Sequence, residues 1–336
     1  MKLISFEYRG KTGVGLIQGA DLYSLGEVGA TFPQDMQSLL AGGQTMMDRI
    51  RQFSASLEGP ESEGQQLKAA QARIPLNEVR LLAPVPRPAS LRDAYAFRQH
   101  VETSRRNRGL AMIPEFDQFP VFYFSNHRAI CGPGDVYCMP DHFDRLDFEL
   151  EVAIVLNKQG RNIPAAEADD YIAGFMIMND LSARTLQMEE MKLNLGPAKG
   201  KDFATALGPW LVTPDELAAF RVPAPAGHTG QAYRLEMCCR VNGKEVSRGS
   251  MAEMHWTFAE IIERASYGVD LFPGDVIGSG TVGTGCFLEL NGTGMLKDPA
   301  GYTEQWLQPG DQVELEVSGL GILSNLVLLQ GAVTQQ

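Results

Sequence analysis

Apolar residues occur in short runs along most of the chain, and turn-forming glycines and prolines separate these runs. Runs of four to nine residues of this kind are typical of β-strands, either alternating or fully buried. The strands predicted in the larger part of the chain cover residues 121–124, 148–156, 172–178, 233–241, 276–277, 287–290 and 313–317. Together they predict a long mixed or antiparallel β-structure.

Helical periodicity is clearest after Thr257. Its side chain can cap the first turn, and Glu260, three residues on, completes a capping box. Gly268 is placed to end this helix. The face predicted to be buried carries Phe258, Ile261, Ile262 and Ala265. A second helical segment is predicted over residues 36–53.

The first part of the chain has a different pattern. Alternating stretches at residues 3–6 and 14–17 precede the helical segment and predict a small α+β domain over residues 1–75. Residues 54–73 are polar and compatible with helix, and prolines at 75, 84, 86 and 88 then mark a boundary. The prediction is an α+β, mostly β protein with its main domain over residues 80–330.

Composition and charge narrow the classes of function. The 336 residues are 44% hydrophobic and carry a net charge of −12, which argues against a binder of nucleic acid or of anionic membranes. The five cysteines include no CxxC pair, and no apolar run approaches the roughly 20 residues of a membrane span. We therefore expect a cytoplasmic protein whose anionic substrates would need a locally positive site.

Two glutamates are the strongest chemical feature. Glu149 and Glu151 are two positions apart in a predicted apolar strand, so both side chains lie on one face. Carboxylates placed side by side in apolar surroundings repel each other, and a bound cation is the simplest remedy. The alternative is that this strand edge faces solvent.

A third carboxylate follows the apolar run of residues 172–178. Asp180 lies where this strand should emerge, and it can add an oxygen ligand or simply cap the next helix. Oxygen ligands without nitrogen or sulfur partners favour Mg²⁺ or Mn²⁺, with Ca²⁺ as a further candidate and Zn²⁺ disfavoured.

Residues 91–100 place an acid, a phenol and an imidazole in one segment, predicted as a turn entering a helix. The histidine side chain as a residue type transfers protons near neutral pH, so His100 is a candidate base beside Asp93 and Tyr95. A purely structural histidine is the alternative.

Two glycine-rich stretches are candidates for ligand binding. Glycines flank Lys199 and Lys201 in a loop that can bring an ammonium close to a ligand, although most such loops are only solvated. Residues 278–283 match GxGxxG, which binds dinucleotides only where it opens a helix. Because residues 285–290 are predicted as a strand, we reject nucleotide binding.

Taken in order, these motifs resemble the fumarylacetoacetate hydrolase family over about residues 80–325. The ordered set is Asp-x-Tyr-x-x-x-x-His from residue 93, Glu-x-Glu from 149, Asn-Asp-x-Ser-Ala-Arg-x-x-Gln from 179, Leu-Gly-Pro-x-x-Gly-Lys-x-Phe from 195, and Gly-Thr at 280 before Leu-Glu-Leu at 288. The resemblance implies a mixed β-roll catalytic domain, usually presented as a homodimer.

The resemblance also implies roles for individual residues. The implied metal ligands are Asp93, Glu149, Glu151 and Asp180. His100 resembles the base that activates water, and Glu289 the carboxylate that orients it. Lys201 and Gln187 resemble the groups that stabilise an enolate oxygen. The implied substrate contacts are Tyr95, Tyr123 and Thr281.

The chemistry implied is metal-dependent cleavage of the C–C bond of a 1,3-dicarbonyl acid of fumarylacetoacetate or acylpyruvate type, as in the breakdown of aromatic compounds. Decarboxylation, isomerisation or hydration and dehydration of a 2-oxo acid is the alternative in the same family. The chain lacks the second aromatic hydroxyl that follows the glutamine in the eukaryotic fumarylacetoacetase, which leaves the far end of the substrate open. Arg105, Arg106 and Arg108 form either a carboxylate clamp or a solvated helix face.

Overall fold

The computed structural model describes residues 1–57 and 69–331. The strands, numbered in chain order, are β1 (Lys2–Tyr8), β2 (Lys11–Gln18), β3 (Asp21–Ser24), β4 (Arg73–Pro75), β5 (Arg80–Leu81), β6 (Ser90–Ala94), β7 (Phe122–Phe124), β8 (Ile130–Cys131), β9 (Gly134–Cys138), β10 (Leu146–Asp147), β11 (Leu150–Leu156), β12 (Gly160–Arg161), β13 (Ile172–Asp180), β14 (Ser182–Ala183), β15 (Thr205–Val212), β16 (Arg221–Val222), β17 (Ala232–Tyr233), β18 (Glu236–Val241), β19 (Lys244–Ser250), β20 (Asp270–Leu271), β21 (Asp275–Gly278), β22 (Gln312–Val317) and β23 (Gly321–Leu329).

Helices connect and cover these strands. The α-helices that lie wholly within the described residues are Leu25–Val28, Met36–Ala41, Gly43–Ser56, Arg98–Arg106, Ala165–Ala168, Arg184–Met191, Phe258–Ser266 and Phe287–Lys297. Among the described residues, no helix has the length and apolar character needed to cross a membrane.

Two large sheets organise the molecule. The larger has twelve strands in the order β4-β3-β2-β1-β15-β13-β11-β21-β6-β7, with β5 and β8 joined at β1 and β15. The smaller has the order β19-β18-β22-β23-β9. Most neighbours are antiparallel, whereas β6 with β21, β8 with β15, and β9 with β23 are parallel. The predicted α+β, mostly β fold is therefore confirmed.

The centre of the larger sheet is buried on both faces. Along β11, Val152, Ile154 and Leu156 pack into one apolar cluster, whereas Ala153 and Val155 belong to a second cluster. The second cluster includes side chains of the helices Met36–Ala41 and Gly43–Ser56. Strands covered in this way read as continuous apolar runs, as the sequence of β11 and β13 does.

The predicted N-terminal domain extends this same sheet. Strand β1 pairs with β15, with Lys2 opposite Val212 and Leu3 opposite Leu211. The sheet is thus continuous across the predicted boundary near residue 75, and the division into two domains stays a prediction.

Several local predictions match the structure. The helix Phe258–Ser266 begins after Thr257, whose side chain and that of Glu260 form the capping box. The segment predicted as helix over residues 36–53 forms two helices joined at Gly42. The stretch 54–73, predicted to be compatible with helix, lies partly outside the described residues.

Other local predictions need correction. The stretch 287–290, predicted as a strand, is the first turn of the helix Phe287–Lys297. Asp93 and Tyr95 do not lie on a helix, because Asp93 belongs to strand β6 and the helix that carries His100 begins at Arg98. The strand predicted over residues 233–241 is interrupted between β17 and β18.

Candidate active site

Strand order and direction bring the predicted acids together. Strands β13, β11, β21 and β6 are neighbours in the larger sheet, and β11 runs antiparallel to β13 and to β21. The carboxyl ends of β13 and β6 therefore meet the amino end of β11 at one edge. Asp180, Asp93 and Glu151 occupy these ends, and Glu149 directly precedes β11.

Three of these acids form a compact cluster. One ligand oxygen from each of Asp93, Glu149 and Glu151 lies within 4.8 Å of the others, and all three side chains are buried. Glu149 and Glu151 are 6% and 0% exposed, so the alternative of a solvent-facing strand edge is wrong.

Asp180 lies beside this cluster and binds protein groups. Its Oδ2 accepts hydrogen bonds from the Lys201 ammonium at 2.6 Å and from the Tyr123 hydroxyl. The Lys201 ammonium also contacts Glu149, so it lies between two carboxylates. The assignment of Asp180 as a fourth ligand stays a prediction.

Burial and mutual repulsion shape the titration of the acids. Burial, together with Asp180, raises the pKa of Asp93 to about 7. Burial and the carboxylates of Asp93 and Glu149 likewise hold the pKa of Glu151 well above its ordinary value. Burial acts in the same direction on Glu149, but Lys201 and Arg184 outweigh it and lower its pKa to about 2.

The cluster fits a hard divalent cation. Glu151 Oε2 is buried and has no hydrogen-bond partner among the described residues, which is costly unless a cation satisfies it. Gly278 keeps the space beside the cluster open, because a Cβ there would lie 2.5 Å from Asp93 Oδ1. Carboxylate oxygens are the ligands that Mg²⁺, Mn²⁺ and Ca²⁺ prefer.

The raised pKa of Asp93 predicts how the effect of Mg²⁺ on the melting temperature depends on pH. The folded pKa of Asp93, about 7, exceeds its ordinary 3.8, so the stability it contributes is present below pH 3.8 and lost as pH rises through about 7. A bound cation needs the ionised carboxylates and so reverses the loss. We expect the rise in melting temperature caused by Mg²⁺ to grow between about pH 5 and pH 8. An equal rise at both ends of that range, measured at matched ionic strength, would contradict this prediction.

A histidine–glutamate pair lies next to the cluster. His100 Nδ1 is 2.7 Å from Glu289 Oε2, and that oxygen also accepts a hydrogen bond from the Thr284 backbone at 2.9 Å. A carboxylate acceptor favours the proton on Nδ1, which leaves Nε2 able to accept another. The helix Phe287–Lys297, missed from the sequence, places Glu289 for this contact.

The cluster and the histidine share one cavity of about 580 Å³. Residues of the predicted site that line it are Asp93, Tyr95, His100, Tyr123, Glu149, Gln187, Lys201 and Thr281. Glu151 and Asp180 lie behind this wall, where the Thr281 hydroxyl donates to Glu151 at 3.2 Å. Glu289 reaches the cavity through His100.

The three arginines of the predicted clamp lie in different surroundings. Arg108 lines the cavity, but Arg105 and Arg106 are not among its lining residues. The Arg105 side chain donates to the Ala111 carbonyl, and Arg106 is exposed to solvent. The structure thus brings one of the three to the cavity.

Several lining residues were not assigned from the sequence. Arg184 is buried and donates to Glu149 at 2.8 Å and to Gln187 at 3.0 Å. Its place in the Ser-Ala-Arg-x-x-Gln motif was the available signal, because arginine and glutamine three apart on a helix share a face. Met188 and Met191 continue this face along the cavity wall. Arg145 and Trp306 also line the cavity, and no motif pointed to them.

The GxGxxG stretch of residues 278–283 is followed by a helix and not by the predicted strand. The predicted strand is therefore no argument against nucleotide binding. The first turn of Phe287–Lys297 is nevertheless occupied by a protein carboxylate. The backbone N–H groups of Phe287 and Leu288 donate to Asp147 at 2.7 and 3.0 Å. Donors of this kind bind the phosphates of a dinucleotide in proteins that use this motif, and here Asp147 already occupies them.

Comparisons with known proteins identify relatives of this chain. The profile of the family described as Fumarylacetoacetate (FAA) hydrolase C-terminal matches residues 90–328. The human protein named Oxaloacetate tautomerase FAHD2A, mitochondrial, is 30% identical over 292 residues, covering 87% of this chain and 83% of its own.

Solved structures have the same fold. A probable 2-hydroxyhepta-2,4-diene-1,7-dioate isomerase from Mycobacterium abscessus is 25% identical and has a TM-score of 0.66. The match covers 99% of this chain and 100% of that chain. A maleylpyruvate hydrolase from Sphingobium sp. SYK-6 is 20% identical with a TM-score of 0.67, and 98% of this chain covers 100% of it.

Proposed function

The chain belongs to the fumarylacetoacetate hydrolase family, an enzyme family, and we propose that it cleaves the C–C bond of a small 1,3-dicarbonyl acid of fumarylacetoacetate or acylpyruvate type. The observation that carries this proposal is that a buried carboxylate cluster and a His100–Glu289 pair line or adjoin one cavity. Breakdown of aromatic compounds is the setting we propose for such a substrate.

Asp93, Glu149 and Glu151, with Asp180 as a proposed fourth ligand, would hold Mg²⁺ or Mn²⁺. When bound, the ion supplies Lewis-acid polarisation of the substrate's oxo groups. The three carboxylates are buried, and electrostatic effects are stronger in such surroundings than in bulk water.

The protein's own groups then handle water and protons. His100 Nε2 accepts a proton from water, whose oxygen forms a bond to a substrate carbonyl carbon, and Glu289 stabilises the imidazolium. Lys201 and Gln187 face the oxygen on which negative charge develops. When the C–C bond breaks, its electron pair stays on the departing enolate, which takes up the proton that His100 Nε2 accepted from water.

Keto–enol tautomerisation of a 2-oxo acid is a second candidate. It is favoured by the human relative of 30% identity, whose name is that of an oxaloacetate tautomerase. The same ion would favour the enolate, and His100 would move a proton between carbon and solvent. No water attack is then needed.

One experiment separates the two candidates. Purified protein with Mg²⁺ or Mn²⁺ is offered acylpyruvates, fumarylpyruvate, fumarylacetoacetate and oxaloacetate. Release of two carboxylic products from a 1,3-dicarbonyl acid supports cleavage. Accelerated keto–enol exchange of oxaloacetate without cleavage of any compound would replace the first candidate by the second.

Replacing Lys201 tests its proposed role. We expect Lys201→Met to lower kcat about 100- to 1,000-fold, which is typical for loss of one oxyanion donor, and to change KM less. Lys199→Met is the matched control, because Lys199 lies in the same loop but is exposed and paired with Asp202. A rise in KM at unchanged kcat would instead make Lys201 a ground-state binder.

We also propose, from family membership, a cytoplasmic homodimer. Sedimentation of the purified protein would test the oligomeric state.

A further inference from the structure

Asp147 joins the two halves of the candidate site, although neither the motifs nor the proposed chemistry uses it. It is 0% exposed and ends the short strand β10, two residues before Glu149. Both of its oxygens accept hydrogen bonds, and its donors come from two different elements of the site.

The first element is the helix Arg184–Met191. Arg184 Nε donates to Asp147 Oδ2 at 2.9 Å, and another nitrogen of the same guanidinium donates to Glu149 at 2.8 Å. A planar guanidinium that is held at both edges has a fixed orientation. Asp147 therefore fixes the arginine that contacts a proposed metal ligand.

The second element is the helix Phe287–Lys297. Its N-cap residue, Cys286, makes no side-chain capping bond, and the backbone N–H groups of Phe287 and Leu288 donate to Asp147 instead. A carboxylate at this position is favoured by the helix dipole and fixes the first turn. Glu289, the partner of His100, is the third residue of that turn.

We propose that Asp147 is a positioning residue that sets the placement of the His100–Glu289 pair relative to the carboxylate cluster. Asp147 is not among the residues that line the cavity, and it acts through the helix that carries Glu289 and through Arg184. This inference rests on the proposed function for the role of His100, but the contacts themselves do not.

The first test is kinetic. Asp147→Asn keeps the side-chain volume but removes the charge, and we expect kcat to fall about 10- to 100-fold, as for other supporting groups of an active site, with a smaller change in KM. In a double-mutant cycle, Asp147→Asn should add little once Glu289→Gln is present, because both changes disturb the same base. Fully additive losses would overturn the proposal.

The second test does not use activity. The ring-nitrogen NMR signals of His100, assigned with His100→Ala, report whether its Nδ1 donates to Glu289. We expect Asp147→Asn to shift them, whereas Asp35→Ala should leave them unchanged. Asp35 is the matched control, because its carboxylate also accepts from a helix N-terminus, at Ser38, outside the cavity.

The outcomes distinguish the two proposals. If the wild-type protein acts on none of the oxo acids, the proposed function fails, and the NMR comparison still tests Asp147. If the wild type is active but the His100 signals and kcat of Asp147→Asn match it, the positioning role is wrong. If the asparagine variant does not fold, Asp147→Ser, which removes the charge with less bulk, carries the same two measurements.

Discussion

Glu151→Gln should abolish the metal-dependent reaction and, in the metal-free protein, raise the melting temperature. Burial and the neighbouring carboxylates hold the pKa of Glu151 well above its ordinary value, and its Oε2 has no partner among the described residues. A neutral amide removes that repulsion, but it also removes an anionic ligand. Lewis-acid stabilisation is worth several kcal/mol, and ~4 kcal/mol corresponds to about a thousandfold in rate.

The measurements are kcat with Mg²⁺, calorimetric metal affinity, and melting curves in chelator. Glu149→Gln is the contrasting variant, because Lys201 and Arg184 hold Glu149 in buried ion pairs. Removing one partner of such a pair costs about 3–5 kcal/mol, so this variant should lose both rate and stability. A Glu151→Gln protein with undiminished Mg²⁺ affinity would contradict the metal site.

His100→Ala should abolish C–C cleavage and leave metal binding intact. General base catalysis contributes about 10²- to 10⁴-fold, so kcat for cleavage should fall by that amount. Exchange of deuterium into the carbon next to the oxo group of a bound 2-oxo acid should persist, because a cation held by Asp93, Glu149 and Glu151 would still favour the enolate. Both rates can be followed by NMR in deuterium oxide.

His228→Ala is the control for this variant. His228 is also held by a glutamate through Nδ1, at 2.9 Å from Glu260, but it does not line the cavity. Its replacement should leave both rates unchanged. Equal loss of cleavage and exchange in His100→Ala would contradict water activation and favour tautomerisation as the reaction.

Features that depend on local spacing were predictable from the sequence. The two-residue period of a strand placed Glu149 and Glu151 side by side, and the structure has them in one buried cluster. The capping box of Thr257 and Glu260 likewise depends on residues three apart, and it is present. In both cases the information lies within one turn or one strand.

Features that depend on distant residues were not predictable in this way. Residues 287–290 were predicted as a strand, but they form the first turn of a helix, where the N–H of Phe287 donates to Asp147, 140 positions earlier. Asp93 reaches the cluster because β6 pairs with β21 in a particular register, with Asp93 opposite Gly278. Arg145 and Trp306 meet at the cavity through tertiary packing, with the Arg145 Cζ 5.6 Å from the centre of the Trp306 ring.

The cavity is built from two kinds of support. Asp93, Glu151 and Asp180 stand on strands of the larger sheet, whereas Gln187, Met188 and Met191 line the wall from a helix. Arg184 on this helix donates to Glu149 and Gln187, so that part of the wall is tied to the carboxylate cluster. Met188 and Met191 lie farther along the helix, and redesign of specificity should begin with these two positions and keep the strands as inherited.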